Sequence, residues 1–126
     1  MDKTIINTSS APAPIGPYNQ AIGVGNLLFI SGQIAINPAT GNIEAQDVID
    51  ETHQVMQNLK AILTSANMNF SHIVKTTIFL TDMNMFTMVN EVYEKYFSGE
   101  FPARETVAVK GLPKNVNVEI SMIACK

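Results

Sequence analysis

The sequence contains a single cysteine, Cys125, so an intramolecular disulfide is excluded. The start of the chain, Met1 to Thr4, lacks the basic region and the apolar core of a secretory signal. The longest uninterrupted apolar run, Leu27 to Ile30, is far too short to cross a bilayer. These absences predict a cytoplasmic protein, or one in a similarly reducing compartment, with no membrane partner.

Charged residues are also scarce, at 15% of the chain, whereas hydrophobic residues make up 46%. An intrinsically disordered chain has the opposite balance, so a folded chain is expected, and 126 residues fit a single domain, 1–126. The 8 Lys and Arg residues are outnumbered by 11 Asp and Glu residues. This balance gives no general attraction to a phosphate backbone, so nucleic acid is not expected as a partner.

The motifs that hold common cofactors are missing too. His53 and His72 have no Cys, His or Asp partners at the spacing of metal ligands. Gly23 and Gly25 lack the later glycine and the strand–helix context of a phosphate-binding loop. The sequence therefore predicts neither a metal site nor a nucleotide cofactor.

The hydrophobic pattern predicts two helices among several strands. Residues 11–17 hold three of the six prolines and are expected to form a stiff loop. A hairpin turns at Gly25-Asn26, one helix begins near Asp47 and runs to about Ala66, and another begins at Thr81 or Asp82 and stops at Ser98-Gly99. The predicted strands are 21–24, 27–33, 73–80, 104–109 and 116–124.

Two helices cannot cover both faces of a sheet this wide, so both are expected on one face of an α+β domain. The other face is not cleanly polar, because residues 27–30 are apolar throughout and residues 73–80 carry apolar side chains on both parities. A sheet that is apolar on both faces needs a second cover. We therefore expect another copy of the same chain to supply it.

The two C-terminal strands are expected to form an antiparallel hairpin across residues 111–113. If their valine faces join one core, Val107 lies opposite Val118. This register gathers four polar residues on the sheet face away from the helices: Arg104, Thr106, Glu119 and Ser121. Arg104 could then bind a substrate carboxylate through its planar fork, with Glu119 orienting a water. On strand parity alone, a plain Arg104–Glu119 ion pair is the favoured interpretation.

Several motifs, in this order along essentially the whole chain, strongly resemble the Rid family, also called YjgF. They are Ala13 to Ala21 (Ala-Pro-Ile-Gly-Pro-Tyr-Asn-Gln-Ala), Ser31 to Ile34 (Ser-Gly-Gln-Ile), Phe101 to Arg104 (Phe-Pro-Ala-Arg), Leu112 to Lys114 and Val118 to Ile120. The resemblance implies a chorismate-mutase-like α+β fold, with two helices on one face of a mixed sheet, assembled as a homotrimer with active sites between subunits. It also implies hydrolysis of enamine or imine intermediates, such as 2-aminoacrylate and 2-aminocrotonate, to 2-keto acids and ammonia without a cofactor.

The resemblance also implies roles for particular residues. Arg104 is the expected carboxylate clamp, and Glu119 is expected to position the attacking water. The expected substrate-binding residues are Tyr18, Ser31, Gly32, Asn90 and Thr106, the last at a position where some members have cysteine. The alternative is a non-catalytic trimer that binds 2-keto acids or other small carboxylates, which would need Arg104 but not Glu119.

Overall fold

The computed structural model describes residues 2–126. Eight strands and two α-helices form the domain: β1 (Lys3–Ile6), β2 (Ala21–Val24), β3 (Leu27–Gln33), β4 (Ile36–Asn37), β5 (Asn42–Ile43), α1 (Val48–Ser65), β6 (Ile73–Leu80), α2 (Phe86–Glu94), β7 (Ala103–Ala108) and β8 (Val118–Cys125). Among residues 2–126, no helix is long and apolar enough to span a membrane.

The local signals predict the first turn and the first helix correctly but not the bounds of the second helix. Gly25 takes a positive φ of 58° in the β2–β3 hairpin, a conformation that glycine adopts without steric cost. The Asp47 side chain accepts a hydrogen bond from the Asp50 amide and caps α1. Asp82 caps a short 3-10 turn instead of α2, which begins at Phe86 and ends at Glu94. The second helix is therefore shorter at both ends than the sequence indicates.

Six strands form one mixed sheet in the order β1-β2-β3-β8-β6-β7, and β4 and β5 pair separately. Both helices pack on one face of the large sheet, where the inward residues of β3, β6 and β8 join the core. The predicted α+β class, with two helices on one face of a mixed sheet, is confirmed.

The predicted C-terminal hairpin is wrong. β7 pairs in parallel with β6, placing Arg104 opposite Thr76, while β8 lies between β3 and β6. The physical reason is that α2 connects β6 to β7, and a strand–helix–strand crossover returns the chain parallel to its start. β8 has four fully or almost fully buried residues and takes a central position, whereas the mostly exposed β7 takes the edge.

This topology separates the residues that the hairpin would have gathered. Arg104 and Thr106 share a face with the buried Thr76 and Ile78, which is the helix-covered face. Glu119, opposite Phe79, and Ser121, opposite Thr77, lie on the alternate face. Within one chain, a cross-strand Arg104–Glu119 ion pair is therefore excluded.

Among the described residues, no helix covers the sheet face that carries Glu119. Leu27, Phe29 and Val107 are 38%, 44% and 40% exposed on this surface. The open face therefore keeps the apolar character that the sequence indicates, and its coverage by a second copy stays a prediction.

Candidate active site

Arg104 is the only arginine in the sequence and lies half-buried on β7. Its guanidinium carbon is 5.1 Å from the centre of the Tyr93 ring and 5.7 Å from the centre of the Phe86 ring. Within residues 2–126 the one salt bridge joins Lys75 to Glu105 at 3.2 Å, so the Arg104 guanidinium has no acidic partner there. Its hydrogen-bonding fork therefore remains available to an external anion.

An open cleft of about 280 Å³ lies beside this guanidinium and is lined by Asn90, Tyr93, Glu94, Phe101, Pro102 and Arg104. Asn90, expected from the family resemblance, is thus close to Arg104. Thr106 follows two residues later on the same face, and its buried hydroxyl is without a hydrogen-bond partner in the described chain. We call the cleft lined by Asn90, Tyr93 and Arg104 the arginine cleft. Tyr93 and Phe101 were not predicted to line it, although Tyr93 belongs to the apolar stripe of α2.

Glu119 lines a second, smaller cleft of about 50 Å³ together with Tyr18, Gly32 and Pro113. Its side chain is half-buried, and desolvation raises the pKa of the carboxyl group. We call this group the glutamate cleft. A carboxylate with a raised pKa is suited to take a proton from water and return it later in a reaction.

Gly32 is required by the close approach of this carboxylate. β3 and β8 lose regular pairing between Ile30 and Gln33, and within this irregular stretch Gly32 lies beside Glu119. A Cβ atom at position 32 would lie 2.6 Å from Glu119 Oε2, well inside van der Waals contact. Ser31 is used structurally, since its Oγ donates to the Asn19 carbonyl at 2.7 Å.

We expect Gly32→Ala to fold and to lose activity about 100-fold, because a displacement of about 1 Å in a reacting group has effects of that size. The carboxylate is the far end of a flexible side chain, so it should move before the strand does. The measurement is kcat/KM with the thermal midpoint. Gly23→Ala is the matched control, since its nearest side-chain atom would be Thr4 Cβ at 3.6 Å. Equal activity in the two variants would contradict this role of Gly32.

The wall of the glutamate cleft is held by Gln20, a buried side chain on the loop before β2. Its amide nitrogen donates to the carbonyls of Thr8 at 2.9 Å and Pro12 at 2.8 Å, and its oxygen accepts from the Thr8 amide at 2.6 Å. The Tyr18 hydroxyl accepts from the Ile15 amide at 3.3 Å. These hydrogen bonds hold the proline-rich segment in place as one wall of the glutamate cleft. Tyr18, expected from the family resemblance to bind substrate, lies in this wall.

The start of β8 is fixed by Glu51, a buried carboxylate on α1. One oxygen accepts from the amides of Asn117 at 2.7 Å and Val118 at 3.0 Å, and the other accepts from Asn117 Nδ2 at 2.9 Å. Glu51 lies in the first turn of α1, next to the predicted start of the helix. Its further function is to anchor the strand from which Glu119 projects.

The two histidines have structural partners. His53 Nδ1 lies 2.8 Å from the Tyr96 hydroxyl, and His72 Nδ1 accepts from the Asn69 amide at 3.0 Å. In the part of the chain that the structure describes, no group of three or more His, Cys, Asp or Glu residues is placed to hold a metal ion.

The candidate residues therefore fall into two groups on opposite faces of the sheet. Tyr18, Gly32 and Glu119 line the glutamate cleft, with Ser31 beside Gly32. Asn90 and Arg104 line the arginine cleft, and Thr106 is beside them on β7. A single chain does not bring the cation and the carboxylate together.

A family model described as endoribonuclease L-PSP matches residues 8–126. The mouse protein named 2-iminobutanoate/2-iminopropanoate deaminase is 44% identical over 122 residues, covering 97% of this chain and 90% of the mouse protein. The structure is similar to that of a Rid-family protein from Yersinia pestis, at 48% identity and a TM-score of 0.96, with 99% and 100% of the two chains covered.

The structure of E. coli TdcF with bound serine is also similar, at 43% identity and a TM-score of 0.93, with 98% of each chain covered. These matches extend over nearly the whole of every chain compared, so they concern the complete domain and not a local motif. The chain therefore belongs to the endoribonuclease L-PSP family, which includes the Rid proteins.

Proposed function

We propose that this chain is a deaminase that hydrolyses reactive enamine and imine intermediates to 2-keto acids and ammonia. The observation that carries the proposal is the single arginine, whose guanidinium faces a cleft with aromatic neighbours and no acidic partner in residues 2–126. The name of the mouse relative supports the reaction class. The serine bound to TdcF supports a small carboxylate as ligand, since serine carries one.

In this proposal Arg104 binds the substrate carboxylate through two parallel N–H···O bonds. Asn90 and Thr106 contact the part of the substrate nearest to that carboxylate. The buried Thr106 hydroxyl has no partner in the described chain, so a polar substrate atom would remove the cost of burying it alone. Small 2-amino acid derivatives fit a cleft of this size better than long substrates do.

In this proposal Glu119 is the general base that activates the attacking water. The enamine 2-aminoacrylate first becomes 2-iminopropanoate, as C3 gains a proton and the nitrogen loses one. Glu119 takes a proton from water as the oxygen adds to C2, and that proton then passes to the nitrogen, which gives a carbinolamine. The hydroxyl proton next moves to the nitrogen as the C=O bond of pyruvate forms, the C–N bond breaks and ammonia leaves. Burial supports this role, because it raises the pKa of Glu119 toward the working pH of a general base.

We further propose that the complete site forms between copies in a homotrimer. The arginine and glutamate clefts lie on opposite sheet faces of one chain, so a second copy must bring a glutamate cleft to an arginine cleft. The open apolar face, with Leu27, Phe29 and Val107, supports such an assembly because burying it stabilises the association. Tyr18, Ser31 and Gly32 would then close the cleft from the partner's side.

The experiment generates 2-aminoacrylate from serine with a dehydratase and follows pyruvate release with and without the protein. We expect the protein to accelerate release. Equal rates would rule out the deaminase. If the protein then bound pyruvate without accelerating the reaction, the non-catalytic carboxylate binder would be the correct function.

Subunit mixing tests the shared site. Arg104→Ala and Glu119→Gln chains, each inactive alone, should recover activity when they are co-expressed, because a mixed trimer contains one interface with both native residues. Random one-to-one mixing is expected to restore roughly a quarter of wild-type activity, from the statistics of a cyclic trimer. No recovery in trimers shown to be mixed would overturn the site shared between copies.

A further inference from the structure

The arginine cleft contains a second feature that the reaction does not itself require. Tyr93 is 3% exposed, and its hydroxyl donates to Thr76 Oγ1 at 3.0 Å. Thr76 is fully buried and lies directly opposite Arg104 in the parallel register of β6 and β7. A side chain from α2 is thus fixed to one strand while its ring contacts the guanidinium on the next strand.

We propose that Tyr93 is a positioning residue that holds the Arg104 guanidinium in the orientation that receives a carboxylate, and that Thr76 fixes the Tyr93 ring. This inference deepens the proposed function and rests on it.

The contact suits a positioning role because of its chemistry. The face of an aromatic ring attracts a guanidinium through its quadrupole and carries no full negative charge, so it leaves the cation unneutralised for a carboxylate. An acidic partner would occupy the N–H donors of the guanidinium, but the Tyr93 ring, 5.1 Å from the guanidinium carbon, restrains the group without competing for them. Since a flexible arginine loses rotamer freedom on binding, restraining it beforehand strengthens binding.

The hydroxyl of Tyr93 remains a neutral donor in this environment. Burial raises the pKa of the phenol, although the hydrogen bond with Thr76 and the nearby charge of Arg104 act in the opposite direction. The Tyr93–Thr76 bond is therefore maintained across the pH range in which the protein would work. It fixes the ring at the level of Arg104 and not elsewhere along β6.

The competing explanation is that Tyr93 only fills the core. Its ring also packs against Phe97, with the ring centres 4.8 Å apart. Loss of stability in a Tyr93 variant would therefore not distinguish the two roles. Binding and the behaviour of the arginine itself must be measured.

The sequence offers a direct measurement, because Arg104 is the only arginine. Protein labelled with isotopic arginine gives a single guanidinium NMR signal, whose position reports the ring beside it and whose order parameter reports restraint. The ligand used is pyruvate, the product of the proposed reaction. The variants are Tyr93→Leu, Tyr93→Phe and Thr76→Val, with Phe97→Leu as the control in the same aromatic cluster.

We expect Tyr93→Leu to shift the arginine signal, lower its order parameter and weaken pyruvate binding about 3- to 30-fold, the range given by cation–π contacts. Tyr93→Phe keeps the ring and should weaken binding less. Thr76→Val, which has nearly the same shape as threonine, should lower the order parameter by releasing the ring. Phe97→Leu should lower the thermal midpoint with the pyruvate affinity unchanged.

The possible outcomes distinguish failure of the positioning role from failure of the proposed function. If Arg104→Ala binds pyruvate as tightly as wild type, the proposed site is wrong. If Arg104→Ala loses binding while Tyr93→Leu keeps the wild-type affinity and order parameter, only the positioning role is overturned. Should Tyr93→Leu fail to fold, unchanged order parameters in both Tyr93→Phe and Thr76→Val overturn it equally.

Discussion

Replacing Arg104 by alanine should lower kcat/KM for 2-aminoacrylate hydrolysis more than 100-fold. Removing one member of a hydrogen-bonded charge pair in a desolvated site costs about 3 kcal/mol, which corresponds to roughly a 150-fold loss in rate constant. The effect should be large here because the guanidinium has no acidic partner in residues 2–126 that could be disturbed instead. The loss of activity is therefore attributable to the lost contact with the substrate carboxylate. Separate measurements of kcat and KM show how much of the loss falls on each constant.

Two further variants sharpen the result. Arg104→Lys keeps the positive charge but loses the planar fork, so its activity should lie between those of wild type and Arg104→Ala. Lys60→Ala removes an exposed cation from α1 and should leave kcat/KM unchanged. If Arg104→Ala retained full activity, the carboxylate clamp would lie elsewhere even if the reaction class were correct.

The C-terminal strands show what periodicity can and cannot predict. Alternation within each strand was correct, since Arg104 and Thr106 share one face and Glu119 and Ser121 share one face. The relation between the strands was wrong, because the hairpin assumed that neighbours in sequence are neighbours in the sheet. The order strand, helix, strand across β6, α2 and β7 already favoured a parallel pair.

The hydrogen bonds of Glu51 and Gln20 were not predicted, for a different reason. Glu51 and the amide of Asn117 are 66 positions apart in sequence, and Gln20 and Thr8 are 12 apart. No periodic pattern reports such pairs, because they depend on how α1 and the proline-rich loop pack against the sheet. Strand parity singled out Arg104, Thr106 and Glu119, and the other candidate residues came from the family resemblance. The structure added that Arg104 and Glu119 lie on opposite faces of the sheet, and it added Tyr93 as a neighbour of the arginine.

The same topology bears on the proposed reaction. An Arg104–Glu119 ion pair would neutralise both of the groups that the proposal uses. Their placement on opposite faces of one sheet prevents this pair within a chain, and in the proposed assembly a substrate would lie between them. The apolar open face and the two incomplete clefts are thus consequences of one arrangement of strands.

Glu119→Gln should lower kcat about 100-fold or more, because a general base contributes on the order of 10²- to 10⁴-fold. Glutamine keeps the shape of the side chain beside Gly32 but cannot take a proton from water. In the wild type, kcat/KM should fall on the acid side with an apparent pKa above the usual value for glutamate, since burial raises the pKa of Glu119. A fall centred at the usual value would contradict the assignment.

The same substitution should raise stability at neutral pH. Because the folded pKa is raised, the folded protein holds more protons than the unfolded chain between the two pKa values, so the free energy of unfolding decreases as pH rises through that window. Above the window, wild type carries the full cost of burying an ionised carboxylate, which glutamine does not. The thermal midpoint of Glu119→Gln should therefore exceed that of wild type at neutral pH.

The difference in thermal midpoint between Glu119→Gln and wild type should vanish as pH falls below about 4.3, the usual pKa of an unfolded glutamate. Glu119 is then protonated in both the folded and the unfolded protein. Glu91→Gln, which alters an exposed carboxylate on α2, is the control and should change neither activity nor the midpoint. A variant that loses activity and gains stability identifies a residue retained for chemistry against a cost to the fold. Equal midpoints for Glu119→Gln and wild type at every pH would show that burial imposes no such cost.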